Sequence, residues 1–254
     1  MKTLNLEEKI TAIETKIASL EAENFRLKAR GEVENIFNRY HFYHNAFRDD
    51  LIKDLWVKRG TEGIRAVYTN TGEYTNYDSV MEYHENRPAP KGKLILHMST
   101  TPVIEVAADG KTAKGVWIMA GTESGLTDPE HAEKMPDYMF SPQVVNGKKV
   151  WAHWVWCKYA LDFLFQDGEW KILTFRCYEI ARAPFEENWV SFASKNAEAF
   201  ALDIKYFGEG GQVYFMPQPD QPVVNEHWPY TNTESQQLSP MPPKPYETFE
   251  ETFR

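Results

Sequence analysis

Tyr40, His41, His44 and Asn45, within two turns of an otherwise apolar helical stretch, are the residues of this chain best suited to moving protons. A tyrosine hydroxyl can donate a hydrogen bond to a developing oxyanion, and an imidazole near neutrality can take or give a proton. On a helix Tyr40 and His44 share one face, and His41 and Asn45 share another about 100° round, so all four are not expected to face inward equally. The plainer alternative is an aromatic helix packed on a sheet, with its histidines bonded or solvated. Some fifty residues on, KLILHMS carries His97 in a strand-like run whose alternation puts Ile95, His97 and Ser99 on one face and Leu94, Leu96 and Met98 on the other. On a concave face His97 would be a general base walled by apolar groups; on a filled face it would be a core histidine bonded to a backbone carbonyl.

Two later strands add candidates for substrate binding. Alternation groups Trp154, Trp156, Lys158, Ala160 and Asp162 on one face, and Ile172, Thr174, Arg176 and Tyr178 on a face of the next strand. Arg176 and Tyr178 could hold an anionic or phenolic group, with Trp117 and Trp156 as aromatic walls; the alternative is a salt bridge from Arg176 to Glu105 or Asp162. His41 and His44 with His97 or His153 could make a histidine site, but no HExxH and no cysteine ligand supports a metal, and none is expected. Gly-Glu-Gly-Gly at 208–211 lacks the strand, lysine and hydroxyl of a phosphate loop. No cofactor is expected.

The elements that must position these groups can be read from periodicity. Leu6, Ile10, Ile13, Ile17, Leu20, Asn24 and Leu27 follow the spacing of a coiled-coil seam, facing either another chain or the parent domain. Isoleucine at successive seam positions favours three strands or more, and Asn24 would fix register. Gly31 is expected to break the helix before Glu32–Trp56 begins, since glycine costs about 1 kcal/mol in a helix. Tyr77–Glu85 reads as a short helix with Asp78 as its cap, ended by Pro88 and Pro90. Lys93–Ser99, Val103–Ala107 and Ala113–Thr122 read as strands, and Asp109-Gly110, Asn146-Gly147 and Asp167-Gly168 as hairpin turns. Long aromatic strands suit a strongly curved sheet, and helices before sheet indicate an α+β domain. An insertion at 123–150 is long enough for a lid or an interface. Eight of the twenty-nine residues from Pro217 to Pro245 are proline, so an arm without regular structure is expected there, with Phe215, Met216, Val223, Val224, Trp228, Tyr230 and Tyr246 lying against a protein surface.

Composition excludes several partners. The net charge is −9 and no basic stripe is present, which disfavours nucleic acid. No run of about eighteen apolar residues occurs, so no membrane span is expected. Two cysteines without metal spacing point to a reducing cytoplasm. Aromatic content of 14% suits both a bulky core and a pocket for an apolar ligand.

In order and spacing, EVENIFNRYHFYHNAFRDDLIKDLW, LHMSTTPVIEVAADGKTAKGVW and LDFLFQDGEWKILTFRCYE resemble the SnoaL-like branch of the nuclear transport factor 2-like superfamily, over roughly residues 30 to 182. The resemblance implies a cone-shaped α+β barrel, a curved antiparallel sheet wrapped around helices. It divides the chain into an oligomerisation helix at 1–30, the barrel domain at 31–182 and a C-terminal extension at 183–254. It also implies acid/base chemistry in which Tyr40 and His97 stand at the places of the dehydratases' tyrosine and histidine. Asn45 stands where those enzymes have an aspartate, and their further acidic or histidine partner falls near Ala120 to Thr122, where none is evident. The expectation is a cofactor-independent lyase acting on a hydroxylated aromatic or polycyclic small molecule, with His97 as base, Tyr40 as acid or oxyanion donor, Asn45 beside them, and Arg176, Tyr178, His44, Trp117 and Trp156 as substrate contacts. A non-catalytic protein binding an apolar small molecule, or an oligomeric scaffold, is the alternative. A homo-oligomer is expected, a trimer before a dimer.

Overall fold

One helix of 40 residues, α1 (Leu6–Asn45), organises the fold. Its start is fixed by a capping box: the Asn5 side chain accepts from the Glu8 amide at 2.9 Å, and Glu8 accepts from the Asn5 amide at 2.8 Å. The expected break at Gly31 does not occur. Gly31 faces open space on a helix long enough to absorb one poor residue.

Two apolar stripes run along α1. Leu6, Ile10, Ile13, Ile17, Leu20 and Leu27 are exposed, and so is every residue from 5 to 24. Ala29, Val33, Ile36, Phe37, Tyr40, His41 and His44 are buried. At about 100° per residue the two stripes fall on opposite sides of the helix. The seam therefore points away from the domain that the second stripe packs into.

The computed structural model describes residues 5–69, 71–85, 92–133, 135–195, 217–223 and 229–250. After α1 come α2 (Asp49–Ile52), β1 (Arg65–Tyr68), β2 (Gly72–Tyr74), α3 (Tyr77–Glu85), β3 (Leu94–Val106), β4 (Thr112–Thr127), α4 (Pro129–Ala132), β5 (Val144–Val145), β6 (Lys148–Gln166), β7 (Glu169–Pro184) and α5 (Trp189–Phe192). The α3 helix has the expected bounds but a different cap: the Asn76 side chain, not Asp78, accepts from the Ser79 amide, while Asp78 pairs with Arg59. Pro88 and Pro90, the glycines at 208–211, and Phe215, Met216, Val224 and Trp228 lie outside the described residues. Among the described residues no helix is long and apolar enough to cross a membrane.

The strands form one curved, unclosed mixed sheet in the order β2-β1-β7-β6-β4-β3, with β5 paired to β6 and β1 parallel to β7. The three Asx-Gly turns are all present, with both residues at positive φ in the last two. Three irregularities interrupt the ladders. In β3 the register shifts between Thr100 and Val103, and Thr101 takes φ 50°. In β7, Ala181 faces Trp156 and Glu179 faces Cys157, leaving Ile180 as an extra residue, and Thr174 faces Asp162 while Ile172 faces Phe163, leaving Leu173 as another.

The concave face closes on α1. Phe37 meets Trp117 at 4.3 Å between ring centroids, Tyr40 meets Phe175 at 4.7 Å and His41 meets Tyr159 at 5.3 Å. The insertion is shorter than expected at its start, because β4 continues through Glu123 to Thr127. Beyond it Ala132, Met135, Met139 and Phe140 pack with Trp151, Ala183 and Phe192 in a second small core. The described part of the proline-rich arm lies on the same chain: Tyr230 donates to the Ile180 carbonyl, Lys158 to those of Gln237 and Ser239, and Ala108 to that of Tyr246.

Candidate active site

His97 is held from three directions. β3 alternation turns it inward, leaving it 7% exposed while Leu94, Leu96 and Met98 face out. Its backbone is clamped by Asn45: the His97 amide donates to Asn45 Oδ1 at 3.0 Å and Asn45 Nδ2 donates to the His97 carbonyl at 3.1 Å. This joins the last turn of α1 to β3 through the main chain of the histidine. Across the ladder His97 faces Gly121, where a Cβ would come within 2.8 Å of the imidazole Cδ2 and of the Leu96 carbonyl. A glycine is thus needed for the ring to lie flat on β4.

Two residues past that glycine, on the same face, stands Glu123. Its Oε1 lies 3.1 Å from His97 Nε2. Its other oxygen is 3.6 Å from Arg182, which is in turn bound to Glu179 at 2.8 and 3.3 Å. Burial opposes ionisation of Glu123, but the Arg182 charge, the His97 hydrogen bond and the charges of His97 and Lys93 outweigh it and hold the carboxyl well below the usual carboxylate range. An ionised carboxylate can only accept, so Nε2 is the nitrogen that donates to it, and in the neutral ring the lone pair is on Nδ1. That Nδ1 is buried and has no hydrogen-bond partner among the described residues. A histidine oriented in this way by a carboxylate is built to act as a base.

The helix supplies the surroundings. His44 stacks on His97 at 5.1 Å and Tyr40 stacks on His44 at 5.8 Å, so the three rings form a column with His44 in the middle. Tyr40, His41 and His44 are all buried and Asn45 is half-buried, so the four face inward unequally, though both helix faces are covered. The sheet curls far enough around α1 to cover both faces. Burial, followed by the nearby His97, pushes His41 down to about 3. His153 is likewise pushed down to about 3, by burial and then by Arg182; its Nε2 meets the Met139 carbonyl at 2.8 Å and ties the insertion to β6.

Three expected contacts lie elsewhere. Arg176, Tyr178 and Trp156 project from the convex face, away from His97 and α1. Arg176 Nη1 donates to Thr174 at 2.9 Å and to Asp162 at 3.3 Å, the salt-bridge alternative. Tyr178 packs on Ala160 and Val116, and Trp156 stacks on Trp154 and meets Trp189 edge-on. Alternation holds along β6 and from Thr174 to Tyr178, but Leu173 is an extra residue in β7, so Ile172, opposite Phe163, faces the core and does not share the face of Thr174; nothing in the pattern says which face is hollow. Trp117 is on the inner face as a core residue 2% exposed. Glu123, Glu179 and Arg182 were missed. By its local pattern Glu123 falls in a loop, although folding the chain back about Asp109-Gly110 brings it within two residues of the position opposite His97. Glu179 and Arg182, three apart, share a face only because of the bulge at Ile180. Among the described residues no three His, Cys, Asp or Glu side chains are placed to hold a metal.

A family model described as a SnoaL-like domain matches residues 26–176, more than half of the chain. No curated protein matches. Among solved structures, the chain is similar to a hexachlorocyclohexane dehydrochlorinase at 13% identity and TM-score 0.48, over 65% of this chain and 95% of that one. A putative scytalone dehydratase from Novosphingobium aromaticivorans has 12% identity and TM-score 0.45, over 66% and 94%. A nuclear transport factor 2-like superfamily protein from Salmonella enterica has 13% identity and TM-score 0.45, over 64% and 98%. At these identities and scores the likeness says nothing of substrate or reaction.

Proposed function

Because the chain belongs to the SnoaL-like domain family, we propose that it is a cofactor-independent lyase, of dehydratase or carbon–carbon lyase type, acting on a hydroxylated aromatic or polycyclic small molecule. The observation that carries this reading is the 3.1 Å contact between His97 and an ionised Glu123, which leaves one imidazole nitrogen unspent. In the dehydration form His97 Nδ1 removes a proton from carbon, the C–H electrons become the new double bond, and the carbon–oxygen bond breaks. The departing hydroxyl takes a proton from the column of Tyr40 and His44 and leaves as water. Glu123 orients His97 and stabilises the imidazolium; Arg182, neutralised by Glu179, positions Glu123. Asn45 positions the His97 backbone and does not itself reach the imidazole nitrogens. Arg176 has no part in the site.

Asn45 in place of the dehydratases' aspartate is what favours the alternative of a binding protein. Glu123 supplies a carboxylate from another strand, and that motive is removed. Exposed seam residues on the far side of α1 support assembly with further copies of the chain, a trimer before a dimer. Two unpaired thiols, Cys157 and Cys177, suit a reducing cytoplasm.

Turnover of hydroxylated bicyclic and steroid-like alcohols, followed by mass spectrometry for loss of water or of a carbon fragment, tests the assignment. His97→Ala should lower the rate by about two orders of magnitude or more. Equal rates in wild type and His97→Ala would sink it.

A further inference from the structure

Resting on the acid/base reading above, we propose that His41 is a ligand-contact residue, whose imidazole binds an uncharged hydroxyl or carbonyl oxygen of the molecule that His97 deprotonates. His41 is 3% exposed, and neither of its ring nitrogens has a hydrogen-bond partner among the described residues. Leaving a buried polar group unpaired costs roughly 1–3 kcal/mol. A phenylalanine would fill the same aromatic niche without that cost.

The ring is enclosed by Phe37, Tyr159 and Tyr40, with centroids at 4.6, 5.3 and 5.5 Å. Its other titratable neighbour is His97, at 6.3 Å and nearly perpendicular. His97 Nδ1, the nitrogen not engaged by Glu123, also lacks a partner among the described residues. Two imidazoles whose nitrogens each bond one shared oxygen at about 2.8 Å have centroids roughly 6–7 Å apart. The observed spacing fits a single oxygen held between them. The Asn45 clamp, one turn along α1 from His41, fixes the helix against β3 and so sets this spacing.

The chemical class follows from the ring's state. Burial and His97 keep His41 neutral, so it offers one donor and one acceptor and does not compete for the role of base. That pairing matches a hydroxyl, which needs both, or a carbonyl, which needs the donor. It supplies no charge to a carboxylate or phosphate.

The test compares binding of 2-naphthol and 2-methylnaphthalene to the full chain, which isolates the hydroxyl. In His41→Phe the preference for 2-naphthol over its methyl analogue should fall at least fivefold relative to wild type, while His41→Gln keeps more of it. A smaller fall in His41→Phe overturns the proposal. Should His41→Phe not fold, ring nitrogen resonances in histidine-labelled wild type decide: 2-naphthol should move those of both His41 and His97. Movement of His97 alone overturns the role of His41 and leaves the acid/base site standing. Failure of wild type to bind either compound overturns both.

Discussion

The imidazole of His97 and the carboxylate of Glu123 meet 3.1 Å apart although they belong to different strands and are not directly opposite in the ladder. The contact is diagonal, across Gly121, whose missing side chain lets the ring lean towards β4. Much of what the site can do depends on that lean.

Glu123 ties the dyad to stability as well as to chemistry. Its folded-state carboxyl titrates below the unfolded value, so its contribution is present above the unfolded pKa of roughly 4.3 and is lost as pH falls through the folded value. Glu123→Gln is expected to destabilise at pH 7 by about 3 kcal/mol, the scale for breaking a buried ion pair. Thermal melts of variant and wild type from pH 7 down to pH 3 should converge in acid. A constant gap across that range would contradict the assignment.

Gly121→Ala probes the lean directly. A Cβ there would sit 2.8 Å from both a ring carbon of His97 and the Leu96 carbonyl, and the backbone atom cannot yield as a flexible side chain would. A loss of roughly 1–3 kcal/mol is expected from this overpacking, read as a lower denaturant midpoint with unchanged slope. Turnover should fall further than the stability change alone explains, because His97 must tilt away from Glu123.

Asn45→Asp asks whether the dehydratase-like aspartate would be an improvement. The amide group now serves the His97 main chain as both donor and acceptor. An aspartate keeps the bond from the His97 amide but turns an anionic oxygen on the His97 carbonyl. The variant should be less stable than wild type by about 1–3 kcal/mol and no faster in turnover. A faster enzyme would mean that the carboxylate reaches the ring after all.

Deletion of residues 1–24 separates assembly from folding. Every described side chain of that segment is exposed, so the remaining domain should melt within a few degrees of the full chain. Its mass by light scattering should drop to that of a single chain if the seam joins copies. An undiminished oligomer would locate assembly elsewhere.

The fold was legible in the sequence because its signals are local. Three Asx-Gly turns set the hairpins, alternation about His97 gave the inward face of β3, and Tyr77–Glu85 read correctly as a helix. What the sequence hid depends on long-range geometry. Gly31 looked like a stop, but no tertiary contact asks the helix to end there. Arg176 and Tyr178 were placed correctly relative to each other and on the wrong side of the sheet, because period-two patterning cannot tell a concave face from a convex one when both are buried. Here the back face buries Asp162, Thr174 and Arg176 as completely as the front buries Phe175. Glu123 escaped because β4 runs five residues further than its apolar pattern, which fades at Thr122.

Ile180 has no counterpart across the ladder, yet the direction of every side chain between it and Pro184 depends on its presence. Shortening the chain by that one residue would rotate the rest of β7 by half a turn, carrying Arg182 to the back and taking from Glu123 and Glu179 the cation that both now face. A length polymorphism at this spot could thus invert the electrical character of the interior while every charged residue in the sequence stays the same.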